Sequence, residues 1–193
     1  MFTKRQKEIM NAAIDLIAEK SIQEMTIKNL SNRVGVTDGA IYRHFESKFH
    51  ILHSILKFFI NEAEEILQKS CSSDGLPSKQ IEDIFLHHLK YFMERPAVAS
   101  IIFSESIFQN DSKLSGEVFR LLEIHERNLY CLLEKGAKKG EINPHLNLKH
   151  ASWLIIGSMR YAVTKWRLSH YNFNLYEEGV ILLKTLKTAL KYE

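Results

Sequence analysis

Proline and glycine are scarce, three and eight in 193 residues. Both interrupt helices, and long stretches pass without either, so a helical protein is expected. No stretch reads as a β-strand. No apolar run reaches the roughly 18 residues of a membrane span, and the N-terminus lacks a signal peptide's apolar core. A cytoplasmic protein with no membrane partner is expected. Cysteine is limited to Cys71 and Cys131, far apart and at no zinc-ligand spacing, so free thiols in a reducing compartment are expected. Charge of either sign is not in excess: 26 Lys and Arg stand against 23 Asp and Glu, a net +3. Residues 1–50 carry eight basic side chains against six acidic ones, so bulk charge does not announce nucleic-acid binding.

Catalytic and metal signatures are missing too. None of the nine histidines falls in an HExxH arrangement. His50 and His53 are three apart on one expected helix, His87 and His88 are adjacent and face different ways, and His145 and His150 straddle a helix start. Gly157-Ser158 lies inside an expected helix and forms no nucleophile elbow. No glycine-rich loop follows a strand. Neither an enzyme, a metal nor a cofactor is expected.

What is present is concentrated in Met25–Leu52. Thr26 is a natural N-cap, and Ile27, Leu30 and Val34 follow at helical spacing. Gly35 suits the left-handed residue that closes the helix. Thr37 caps a second helix whose inner side is Ile41 and Phe45. Seen from Ile41 at about 100° per residue, Gly39 and Arg43 lie opposite, with Ala40 and Tyr42 on the flanks. Small residues at the leading end allow close approach to a surface. Tyr42, Arg43 and His44 then supply a phenol, a cation and an imidazole for phosphates and base edges. Ser47 and Lys48 open the next helix. The pattern is a helix-turn-helix. The residues expected at DNA are Thr26, Thr37, Asp38, Gly39, Ala40, Tyr42, Arg43, His44 and Lys48.

The run Gly35-Val36-Thr37-Asp38-Gly39-Ala40-Ile41-Tyr42-Arg43-His44-Phe45 with Ser47-Lys48 resembles the DNA-binding signature of the TetR family of transcriptional regulators. The likeness is specific over about the first fifty residues. Phe49 departs from it, standing where family members often carry an acidic residue. The resemblance implies a homodimer on a pseudo-palindromic operator of double-stranded DNA, with a small-molecule effector bound among the later helices. The fold class expected is all-α: a three-helix N-terminal domain over 1–47, then a helical ligand-binding and dimerisation domain over 48–193.

The remaining helices follow from apolar periodicity. The first, Thr3 to Glu19, carries Ile9, Ala12, Ala13, Leu16 and Ile17 on one face, with Lys4 and Arg5 either touching phosphate or solvated. A helix over 48–70, roughly 34 Å long, connects the two domains as a lever. Further helices are expected over 78–94, 97–109, 112–139, 148–170 and 174–191. The last two, apolar on more than one side, are expected to pair with their copies in a four-helix dimer interface, with Ile155 and Leu183 in it. The effector implied by the resemblance is apolar or amphipathic. Its candidate contacts are Phe59, Phe85, Tyr91, Phe103, Glu105, Phe108, Tyr130, Trp153 and Arg160. A second reading keeps the DNA binding and replaces the effector by a protein partner, nucleoid- or division-associated, from a faint likeness around Pro96–Glu105.

Overall fold

The computed structural model describes residues 2–72, 74–103, 108 and 111–190. These contain the helices α1 (Lys4–Glu19), α2 (Ile27–Val34), α3 (Asp38–Tyr42), α4 (Lys48–Ser72), α5 (Pro77–Glu94), α6 (Pro96–Ile102), α7 (Ser112–Lys138), α8 (Leu148–Leu168) and α9 (Leu175–Leu190), and no strand. None of the helices described is long and apolar enough to cross a membrane. The chain divides into two compact units. One combines residues 1–60 with 95–119, the other 61–94 with 120–193. Helices α4 and α7 each contribute to both.

In the first unit, α1 starts at a reciprocal cap: Gln6 N–H donates to Thr3 Oγ1, and Thr3 N–H donates back to the Gln6 side chain. Its buried face is wider than the periodicity suggested, because Met10 and Ile14 join Ile9, Ala13, Leu16 and Ile17. The reason is a second neighbour. α1 packs against α2 and also against α6, whose Val98, Ala99 and Ile101 are buried. α6 was expected to run from Ala97 to Gln109. It is described from Pro96 to Ile102, and residues 104–107 and 109, Glu105 among them, lie outside the described residues.

In the second unit, α9 packs on α5 and α8, and α5 also meets α8. Capping follows the sequence. Asp111 Oδ1 accepts from the N–H of Lys113 and Leu114 at the start of α7. Asn147 accepts from His150 at the start of α8, and Asn174 from Tyr176 and Glu177 at the start of α9. The N-terminus of α5 is capped from a distance, Ser78 N–H donating to Glu141. Cys71 and Cys131 do not stay apart. Packing of α4 beside α7 brings their Cα atoms to 6.2 Å, and the two are joined as a disulfide, correcting the expectation of free thiols.

Gly179 shows why α9 sits so close to α5. A Cβ there would lie 2.0 Å from Leu89 Cδ1, and Leu89 is itself fully buried. Overpacking a filled core costs about 1–3 kcal/mol. Gly179→Val is therefore expected to lower the unfolding free energy by that amount, read as a lower denaturant midpoint with an unchanged m-value. Gly116→Val, where a Cβ meets nothing within 4 Å, serves as the control.

Candidate nucleic-acid interface

The motif between α2 and α3 is fixed by local chemistry. Thr26 Oγ1 accepts from Asn29 N–H at 3.1 Å and Thr37 Oγ1 from Ala40 N–H at 3.3 Å, so both threonines are N-caps. Gly35 takes φ 74°, ψ 38°, and Val36 N–H returns to Ser31 carbonyl at 2.9 Å. That six-to-one closure with a left-handed residue turns the chain sharply. A side chain here would be strained whatever the space around it.

A second tie across the turn was not legible in the sequence. The Ser31 hydroxyl, buried, lies between Asp38 Oδ1 and Lys28 carbonyl and donates its one proton to either. Asp38 thereby clasps α3 onto α2, and its charge stands in the first turn of α3, where the helix dipole favours it. Its carboxylate orients the motif. At the other side, Arg33 makes a two-pronged ion pair with Glu19 at the end of α1. The hydrogen bonds from Arg33 hold the Glu19 carboxyl below its ordinary range, and those to Glu19 raise Arg33.

α3 is shorter than expected and ends at Tyr42, with Arg43 as its C-cap. Ile41 and Phe45 are buried against the rest of the unit, while Thr26, Thr37, Asp38, Gly39, Tyr42 and Arg43 are exposed and Ala40 and His44 half-buried. The outer face thus presents small residues first and then a phenol and a guanidinium. Among the described residues the Arg43 guanidinium has no ion-pair or hydrogen-bond partner, so it is free to meet a ligand. Lys48 differs: its ammonium donates to Ile22 carbonyl in the loop before α2, and burial pulls its pKa down. It ties that loop to the start of α4. Sequence reasoning missed this because residues 22 and 48 share no local pattern.

The comparisons with known proteins are consistent with this geometry. Residues 9–55 match the family profile described as bacterial regulatory proteins, tetR family, and residues 52–186 match that of the YsiA-like C-terminal region. The chain belongs to the TetR family. It is a DNA-binding transcriptional regulator. A relative, the fatty acid metabolism regulator protein of Bacillus subtilis strain 168, is 24% identical over 192 residues, 98% of each chain. A nucleoid occlusion factor SlmA of Haemophilus influenzae is 20% identical over 172 residues, 86% of this chain and 79% of that protein. The crystal structure of transcriptional regulator FadR from Bacillus subtilis, in complex with stearoyl-CoA, shares the fold. Its TM-score is 0.82 at 22% identity, covering 95% of this chain and 98% of that one.

The effector contacts expected from the sequence are divided between the two units of this TetR-family chain. Phe59, Phe103 and Phe108 belong to the first unit, and Phe85, Tyr91, Tyr130, Trp153 and Arg160 to the second. Phe59, Phe85 and Phe108 fill core. Tyr130 and Trp153 face outward, and Trp153 donates to Glu126 at 2.7 Å. An open cleft of about 1060 Å³ lies within the second unit, walled by Ser78, Ile81, Ile142, Ile155, Leu183 and Leu186.

Proposed function

We propose that the chain is a homodimeric repressor that leaves its operator when a long-chain acyl thioester, or another amphipathic molecule, binds its second unit. The observation that carries this is the match of residues 52–186 to the YsiA-like C-terminal region, beyond the DNA-reading motif that divergent members share. The end-to-end likeness to a fatty acid metabolism regulator supports the effector class. Residues 1–47 read the operator in the cytoplasm, and residues 48–193 hold the effector and the second copy. α4 has residues in both units, so a displacement of its later turns is carried along one backbone into the earlier ones.

An effector acts only through its different affinity for the operator-bound and free states. A coupling of about 1–3 kcal/mol weakens DNA binding 5- to 150-fold. Genomic footprinting identifies the operator, and fluorescence anisotropy then follows its release. Stearoyl-CoA is expected to shift the operator dissociation constant within that range, while coenzyme A alone leaves it in place. Unchanged affinity with saturating acyl-CoAs of every chain length would rule out this effector class. A search for a protein partner would then take precedence, since the SlmA likeness extends over most of the chain.

The dimer face is α8 with α9. Leu154, Tyr161 and Leu168 recur at intervals of seven along α8 and are 62%, 70% and 77% exposed, with Ile181 of α9 60% exposed. Gly157, also exposed, sits between the first two, and a Cβ there would meet nothing. Apolar residues at heptad spacing with a small residue between them suit close helix pairing. Ile155 and Leu183, expected in this interface, instead point into the protomer and are buried.

A further inference from the structure

The second unit buries a polar cluster that neither the DNA interface nor the dimer face uses. His88 of α5 and His125 of α7 stand edge to face, with ring centroids 5.4 Å apart. His88 Nδ1 lies 2.7 Å from Ile84 carbonyl. A carbonyl only accepts, so Nδ1 carries the proton and Nε2 is a bare acceptor in the neutral ring. One turn along α7 from His125 is Asn128, on the same helix face. It is 3% exposed, and its Oδ1 is buried with no hydrogen-bond partner among the described residues.

Two further facts define the surroundings. Burial pushes the pKa of both histidines down, His125 to about 3, so both rings are neutral at physiological pH. Yet both residues keep part of their surface uncovered. Each ring is thus deeply placed and still keeps a solvent-accessible edge. Phe92 lies against His88, ring centroids 6.3 Å apart, and sets an apolar face, a wall for an alkyl chain, beside that edge.

We infer that His88, His125 and Asn128 form the polar anchor of the effector site, and that they receive a neutral hydrogen-bond donor, an amide N–H or a hydroxyl, on an otherwise apolar molecule. His88 Nε2 and Asn128 Oδ1 are both acceptors, and buried acceptors are ordinarily satisfied. A carboxylate brings no proton to either. An ester brings only acceptors. An amide or alcohol brings the missing donor, and its alkyl chain is left for the apolar wall. This rests on the ligand-release reading and selects within it: an acyl thioester group, like an ester, brings no donor, so the anchor favours the other amphipathic effectors, an amide or an alcohol.

Direct binding of three probes of equal chain length separates the possibilities: decanamide, methyl decanoate and decanoate, titrated by calorimetry into the full-length protein. Decanamide is expected to bind at least about tenfold tighter than either of the others, the discrimination that one donor-specific buried site gives. In Asn128→Leu and in His125→Phe that preference should collapse to within about twofold. Asn128→Leu should also raise the melting temperature of the ligand-free protein, because it removes an unsatisfied acceptor without opening a cavity. That rise distinguishes a binding group from a structural one and shows that the variant is folded. 15N-histidine NMR should show the His88 Nε2 resonance shifting on addition of decanamide and not of methyl decanoate.

Equal affinity for the three probes, or a preference that survives Asn128→Leu, overturns the anchor. If stearoyl-CoA still releases the operator in that case, the ligand-release reading stands and only the site is wrong. If decanamide binds at the anchor but no acyl-CoA releases the operator, the anchor is kept and the acyl thioester is discarded.

Discussion

Leu154→Asp combined with Ile181→Asp is expected to leave a folded monomer that has lost most of its operator affinity. Both side chains are exposed on the protomer, so a charge there disturbs no core and should move the melting temperature of a dilute sample little. Across a dimer face the same charges would be desolvated without partners, which is strongly unfavourable. One helix-turn-helix motif contacts a short half-site. Tethering two raises the overall affinity by about 10²–10⁴-fold over either alone, and the monomer forfeits that factor. Sedimentation should show half the mass, and anisotropy the matching loss. Ile155→Asp is the contrast. Ile155 is buried inside the protomer, so the charge there should unfold the second unit and lower the melting temperature. A double variant that sediments as the wild-type dimer would refute the α8–α9 face.

This contrast also marks where sequence reading stops. α8 is apolar on more than one side, so periodicity says that two faces need cover and cannot say which one the protomer covers itself. Leu154 and Ile155 are neighbours in sequence with opposite fates. The helix-turn-helix was legible because its determinants are local: Thr26 and Thr37 cap within three residues, and Gly35 turns the chain by its own backbone freedom. What escaped were ties between distant positions. Asp38 reads as an exposed acid until Ser31 is found against it. Lys48 reads as a free cation until the Ile22 carbonyl is found at its ammonium. Met10 and Ile14 fall outside the stripe that periodicity marks on α1, yet they are buried in a helix that has α6 as well as α2 for a neighbour. His125 and Asn128 carried no motif at all, because a pair of polar residues three apart on an amphipathic helix is ordinary until its partner helix is placed. The cysteines are the same case, since nothing in 60 residues of separation shows that α4 and α7 bring them together.

Arg43→Ala is expected to relax sequence preference at one position of each half-site and to cost about 1–3 kcal/mol per half-site. The argument is geometric. Arg43 follows directly on α3, exposed and without a protein partner among the described residues, on the side opposite the buried Ile41. A guanidinium so placed is expected to donate two parallel hydrogen bonds to the O6 and N7 of guanine, the commonest specific contact in the major groove. Its loss should therefore be unequal across a library of operator variants, largest for the sequence carrying the preferred base. Lys48→Ala separates specificity from position. If the Lys48 ammonium leaves Ile22 for a phosphate on DNA, the variant should weaken all sequences alike and lower the salt slope by about one. If it keeps its bond to the Ile22 carbonyl, the variant should lower the melting temperature and leave the slope unchanged. For Arg43 the decisive measurement is the ratio of affinities for operator and single-base variants at fixed salt. A uniform loss would move Arg43 to the phosphate backbone and leave base reading to Tyr42 and His44.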